Sequence, residues 1–343
     1  MLNHYSTTSR RYNPINAYLT IQLCQMVYPG HFVASQAMLE NTAQRRRNKE
    51  RAYERAARGA FGRIDGDQIA FGSDARTGAN WAVVATRSVA FVVFRGTEMA
   101  NLTDLIFKGD MVHNVLAGQV PGGTRYGGSG SLVHSGLARS ARAAAPRIIN
   151  TLNNFGFGPA SNRPVVVTGH SLGGAMATIT GFDLNRLGHR VVAVYSHAGY
   201  MPGDARFAEA YARAGITHCR TVNEDDPVPW IPQLFVDFAK MVETMAEEVR
   251  GSRSPVQLAL DTLDTMFTMP PRLRNAYCHV AGGVAYLTPR GAPLINPSTD
   301  EMMRRRRPGL NVADHATARY GGKLWRALSA NQRRGLSGFR VIF

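Results

Sequence analysis

The chain has 343 residues, with 40 Lys and Arg against 24 Asp and Glu, a formal charge of +16 and a pI of about 10.4. An apolar fraction of 44% with only 19% charged residues supports a sizeable core and excludes disorder of the whole chain. Three cysteines, Cys24, Cys219 and Cys278, are too few for a disulfide framework and lack metal-ligand spacing, so they are expected as buried thiols.

No apolar run reaches the 18 residues of a membrane span. Arg10 and Arg11 precede the segment 15–28, but Asn16, Thr20, Gln22 and Gln25 interrupt it, which makes a poor export signal. An amphipathic helix is expected there instead, with Ile15, Leu19, Leu23, Met26 and Val27 on one face. No Sec-type export is inferred, and the cytoplasm or export by a signal-less route are both compatible. Residues 1–62 as a whole have helical character and end at the glycines Gly59 and Gly62.

Two short apolar runs, 81–85 and 89–94, are joined by Thr86-Arg87-Ser88 and predict a β-hairpin. Residues 101–116 change to a 3.6 period, with Leu102, Leu105, Ile106, Val112, Val115 and Leu116 on one side. The segment 117–130 that follows, with six glycines and a proline, is expected to be a flexible connector. The second half alternates: strands over 164–168, 190–195 and 216–222, and helices over 172–187 and 205–214. Such alternation predicts an α/β fold around a mainly parallel sheet. Residues 233–275 interrupt it with two Met-rich helical segments, which serve either as core or as an apolar lipid-contacting surface. A strand is expected over 276–287 and a helix over 316–328.

The most informative segment is Thr168-Gly-His-Ser-Leu-Gly-Gly-Ala175, a G-x-S-x-G set between a valine run and an apolar helix. That context is a nucleophile elbow, in which a sharp strand-to-helix turn exposes the hydroxyl of Ser171 and only small neighbours let the backbones meet. A hydrolase of this type presents its partners in the order Ser, acid, His. Only His279 and His315 follow the candidate acids, and His279 lies in an apolar run where a structural histidine is the ordinary outcome. His315, at the head of a helix, is preferred. Glu224, Asp225 and Asp226 all follow the strand 216–222, and Asp226, held by the next proline, has the best placed turn. An oxyanion hole needs two backbone donors, for which the Leu172 and Thr97 amides are the candidates. No metal or cofactor is expected.

Together these segments resemble the class 3 lipase family of α/β-hydrolases, typified by fungal triacylglycerol lipases, and their bacterial members in particular. Phe94-Arg-Gly-Thr97 is similar to the family's oxyanion strand, Val133-His-Ser-Gly-Leu137 to its V-H-x-G-F element, and Gly169-His-Ser-Leu-Gly-Gly174 to its elbow. Arg220-Thr-Val-Asn-Glu-Asp-Asp-Pro-Val-Pro229 resembles the acid loop, in which the aspartate precedes x-V-P, and this selects Asp226. Asp314-His315 with Tyr320 is similar to the D-H-x-x-x-x-Y segment that bears the family's catalytic histidine. The family's G-x-P-R-x-G is altered, standing here as Ala198-Gly-Tyr-Met-Pro-Gly-Asp204.

The resemblance, over roughly residues 15–330, implies one hydrolase domain over 1–343 with a helical extension at 1–62 and an insertion at 233–275. It also implies a lid, since members place a mobile helix between the oxyanion strand and the V-H-x-G element, where residues 101–116 fall. The implied activity is hydrolysis of glycerolipid acyl esters. The alternatives are a phospholipase A working on anionic membranes and an idle scaffold that binds membrane or nucleic acid through its basic tracts.

Those tracts are Arg45, Arg46, Arg47, Lys49, Arg51, Arg55 and Arg58, and the run Arg304 to Arg307; only four of the forty basic residues are lysine. The arginine preference is compatible with a GC-rich genome and a merely solvated surface, but beside a lipid-ester site an anionic lipid surface is a more economical partner than nucleic acid.

Overall fold

The computed structural model describes residues 2–27, 68–74, 76–96, 119–230, 277–289, 292–305 and 312–336. The expected lid helix 101–116, the insertion 233–275, Thr97 and the basic tract 45–58 lie outside the described residues.

In chain order the described elements are helix α1 (Pro14–Met26), strands β1 (Ile69–Ser73), β2 (Asn80–Ala85), β3 (Ala90–Phe94), β4 (Gln119–Gly123) and β5 (Gly128–His134), and helix α2 (Ser135–Asn154). Strand β6 (Val165–His170), helix α3 (Leu172–Arg186), strand β7 (Val191–His197), helix α4 (Ala205–Arg213) and strand β8 (Thr217–Asn223) continue the alternation. Strands β9 (Gly283–Leu287) and β10 (Leu294–Ile295) and helices α5 (Thr299–Arg305), α6 (Thr317–Ala327) and α7 (Ala330–Leu336) complete them.

Eight strands form one sheet in the order β1-β2-β3-β6-β7-β8-β9-β10. The pairs from β3 through β6, β7 and β8 to β9 are parallel, and the pairs at the two ends are antiparallel. Every residue of β6 is buried, as expected for a central parallel strand covered on both faces. One face packs Val83, Val92, Val165 and Val167 against Leu137, Ala141, Ile148 and Ile179 of α2 and α3. The other packs Ala82, Val84, Phe91, Val93 and Val166 against Leu19, Leu23 and Tyr18 of α1 and Tyr320 and Leu324 of α6. The result is a helix-sheet-helix sandwich, an α/β-hydrolase architecture.

Three expectations change. The glycine-rich 117–130 is largely a paired β4-β5 ribbon rather than a loose connector: Val120 pairs with Val133, and a register irregularity lies between Pro121 and Gly123. Its turn is fastened to α3 by Arg125, whose guanidinium donates to both carboxylate oxygens of the buried Asp183. Helix α1 has no polar face, because α6 on one side and the sheet on the other enclose Asn16, Thr20, Gln22 and Gln25 as completely as Leu19. Of the strand expected over 276–287 only β9 forms; Cys278 makes a single bridge to Gly203. In addition, helix α2, with seven buried residues, was not among the elements expected from the sequence.

The cysteines are free thiols, with Cys24 and Cys219 buried and Cys278 partly so. No helix of the described residues is long and apolar enough to cross a membrane.

Because Ile148 of α2 is fully buried in the core between helix and sheet, Ile148→Ala should lower the unfolding free energy by about 2–5 kcal/mol through the cavity it leaves. On the exposed side of the same helix, Arg147→Ala removes only a bond to the Ser73 carbonyl and should cost well under half as much. Guanidinium titration of both variants measures the difference.

Candidate active site

The turn between β6 and α3 is tightly constrained. Ser171 sits at φ 61° and ψ −130°, a left-handed conformation that a non-glycine residue holds only when its surroundings enforce it. Its amide donates to the His197 carbonyl at 2.9 Å, and its own carbonyl accepts from Gly174 at 2.9 Å. A side chain at Gly169 would place its Cβ 2.0 Å from the Gly173 carbonyl oxygen, and one at Gly173 would place it 2.5 Å from the Phe94 oxygen. Both glycines are therefore required by backbone contact. The second contact also puts the end of β3 against the first turn of α3, which begins with the Leu172 amide. That amide, first in its helix, has no intrahelical acceptor. Thr97, the other candidate donor, lies outside the described residues.

Asp226 and His315, 89 residues apart, meet at the end of β8. His315 Nδ1 donates to Asp226 Oδ2 at 2.8 Å, with both side chains almost completely buried. A carboxylate accepts only, so the proton is on Nδ1 and Nε2 carries the lone pair in the neutral ring. Two further donors hold the carboxylate: the Tyr320 hydroxyl to Oδ2 at 2.7 Å and the Val228 amide to Oδ1 at 2.9 Å. Tyr320 itself accepts from the Asn223 amide at 2.8 Å. Burial, and then the charge of Asp226, push the Tyr320 phenol far above its ordinary range, so it stays a donor.

The imidazole of His170, next to Ser171 in the chain, lies 4.6 Å from that of His315 between ring centroids and is tilted 37° to it. The elbow and the histidine turn are thereby neighbours. Ser171 Oγ and His315 Nε2 are both buried and neither bonds to another group among the described residues. Burial, followed by the proximity of His315 and His197, depresses the pKa of His170 well below the ordinary histidine value. His197 is pushed down to about 3 by burial and is held from both sides by Thr20 Oγ1 at 2.9 Å and Thr221 Oγ1 at 2.7 Å.

His279, the other histidine weighed from the sequence, bonds through Nε2 to the Pro229 carbonyl at 2.7 Å and joins the wall of the acid loop instead. Glu224 and Asp225 stand beside Asp226 in the loop, and it is Asp226 that bonds to His315. The sequence reading missed Asn223, which ties the acid loop to the histidine turn by donating from Nδ2 to the Asp314 carbonyl at 2.7 Å. It also missed Lys323, three residues beyond Tyr320 on the same side of α6. The only signal in the sequence was that spacing.

Residues 91–236 match the family described as "Lipase (class 3)". A lipase of Rhizopus niveus is 29% identical over 185 residues, which cover 51% of this chain and 42% of that protein. The chloroplastic phospholipase A1-Igamma2 of Arabidopsis thaliana is 34% identical over 122 residues, covering 32% of this chain and 23% of that one. The match to this chain thus spans less than half the length of either relative. Among solved structures, the Rhizomucor miehei lipase propeptide complex superposes with a TM-score of 0.53 at 21% identity, covering 88% of this chain and 78% of that one. That likeness concerns the fold, and the sequence match concerns the segment that contains Ser171 and Asp226. The chain has the α/β-hydrolase fold, and over residues 91–236, under half of its length, it is similar to the class 3 lipase family.

Proposed function

We propose that the protein is a serine carboxylic ester hydrolase, a lipase, which cleaves acyl esters of glycerolipids through an acyl-enzyme on Ser171. The supporting observation is the buried 2.8 Å bond from His315 to Asp226 beside a serine strained at φ 61°. His315 Nε2 takes the Ser171 proton as Oγ attacks the acyl carbonyl, and Asp226 fixes the tautomer and stabilises the imidazolium. The Leu172 and Thr97 amides hold the tetrahedral oxyanion. His315 returns the proton to the leaving alcohol, and water, activated by the same ring, then releases the fatty acid. His170 matters by remaining neutral, because a second cation 4.6 Å away would oppose the charge that His315 acquires.

A second reading, a phospholipase A, has its own support in the similarity to a plant phospholipase A1. Comparing hydrolysis of triolein with that of phosphatidylglycerol separates the two. For either substrate the +16 charge favours an anionic lipid surface as a peripheral partner. Binding to phosphatidylglycerol vesicles should weaken as salt rises, and binding indifferent to both salt and anionic lipid content would remove the charge from the function.

Ser171→Ala should lose fluorophosphonate labelling and about 10⁶-fold in kcat, and Asp226→Asn about 10⁴-fold, measured on a soluble ester. With His170 kept neutral by burial, that ring should add no second protonation step to the acid side of log kcat/KM, and an acid limb of slope two would contradict this. Tyr320→Phe strips a donor from Asp226 and leaves the Asn223 amide unpaired in the core. It should cost about 1–3 kcal/mol in a denaturant titration, and activity should fall with it.

A further inference from the structure

In a chain that uses lysine at only four of forty basic positions, Lys323 is half-buried on α6 directly behind the histidine turn. Its Nζ donates to Asn223 Oδ1 at 2.5 Å and to the Leu287 carbonyl at 3.3 Å. An ammonium has donors and no acceptor, so it dictates which end of the Asn223 amide faces it. The oxygen turns to Lys323 and accepts in addition from the Glu224 amide at 3.1 Å, which leaves Nδ2 to face the Asp314 carbonyl at 2.7 Å. Asp314 is the residue before His315. With the amide reversed, two oxygens would oppose each other at that point and the turn would lose its tie to β8.

We propose that Lys323 is a positioning residue for His315: its ammonium sets the Asn223 amide, which holds the Asp314 backbone and with it the imidazole against Asp226. The inference rests on the triad assignment above. The charged groups around Nζ are Asp314 from the histidine turn, Glu224 and Asp225 from the acid loop, and Arg326 from its own helix. Burial lowers the pKa of Lys323 below the ordinary lysine value, and the three carboxylates offset this only in part. Loss of the proton exchanges a charge-assisted bond for a weaker neutral one. The tie therefore loosens on the alkaline side, with deprotonation beginning earlier than for a free lysine.

The test measures kcat and KM against pH for the parent, Lys323→Met and Lys323→Arg on p-nitrophenyl butyrate. Fluorophosphonate labelling of Ser171 in the parent and denaturation midpoints of all three are recorded alongside. The parent should show an alkaline fall in kcat. Lys323→Met should lose about tenfold in kcat, since small misplacement of a catalytic group is costly, with KM within about twofold and no alkaline limb. Lys323→Arg, a cation that keeps its proton, should recover part of kcat and also lack the limb. Parental kcat in a folded Lys323→Met, or the same alkaline limb in that variant, would overturn the proposal. If Lys323→Met does not fold, a parent kcat flat through the alkaline range overturns it independently. A parent that is neither labelled nor active refutes the triad assignment instead, so the two failures are told apart.

Discussion

The strained backbone at Ser171 is the constraint on which the rest of the site depends. A strand and a helix meet there with no linker, and their backbones pass so close at Gly169 and Gly173 that any side chain would collide with a carbonyl. The energy of holding a serine at φ 61° is of the order of 1–3 kcal/mol and must be met by the surrounding packing. That packing is the fully buried β6, gripped by α2 and α3 on one face and α1 and α6 on the other. The same contact that forbids a side chain at Gly173 presses α3 onto the end of β3. One steric requirement thus sets both the serine and the approach of β3.

The second dependence is electrostatic. Asp226 is fully buried, and a carboxylate is retained in such a place only if its oxygens are met by donors. Three groups meet them, one from the acid loop itself and two from the segment 315–320: the Val228 amide, His315 and Tyr320. Tyr320 and Asn223 then link the acid loop to α6 and to the histidine turn, so the imidazole is oriented by a network instead of by one bond. Around it burial keeps the imidazoles of His170 and His197 neutral, so that in the proposed mechanism the positive charge has one place to form.

Sequence patterning read the central alternation well. Apolar runs bounded by turn residues marked β2, β3, β6, β7 and β8 with ends that agree to within about two residues, because strands covered on both faces carry a continuous apolar signal. It failed where the neighbours decide. Helix α2 has an amphipathic spacing, with Leu137, Ala141, Ile148 and Leu152 on its core side, but its Ala- and Arg-rich composition and an internal Pro146 drew no expectation of a helix. The glycines of 117–130 suggested looseness, yet β4 and β5 satisfy each other's backbone groups, and the buried Asp183 on α3 fastens their turn. In α1 the glutamines and Thr20 looked solvent-facing, but the sheet on one side, where Thr20 bonds to His197, and α6 on the other enclose the helix, and α6 comes from the other end of the chain.

What the sequence determined by itself is the chemistry of short segments: G-H-S-L-G-G permits one kind of turn, and D-D-P-V-P one kind of acid loop, because both are local consequences of glycine size and proline rigidity. It also contained the order of serine, aspartate and histidine. Tertiary structure decided which of three adjacent buried acids bonds to a histidine, which of two histidines meets it, and that Asn223 and Lys323 stand behind them. These choices join residues about 90 to 100 positions apart, such as Asp226 with His315 and Asn223 with Lys323, and no local pattern encodes a contact of that separation. Only the closing of α6 over the ends of β8 and β9 brings the groups within bonding distance.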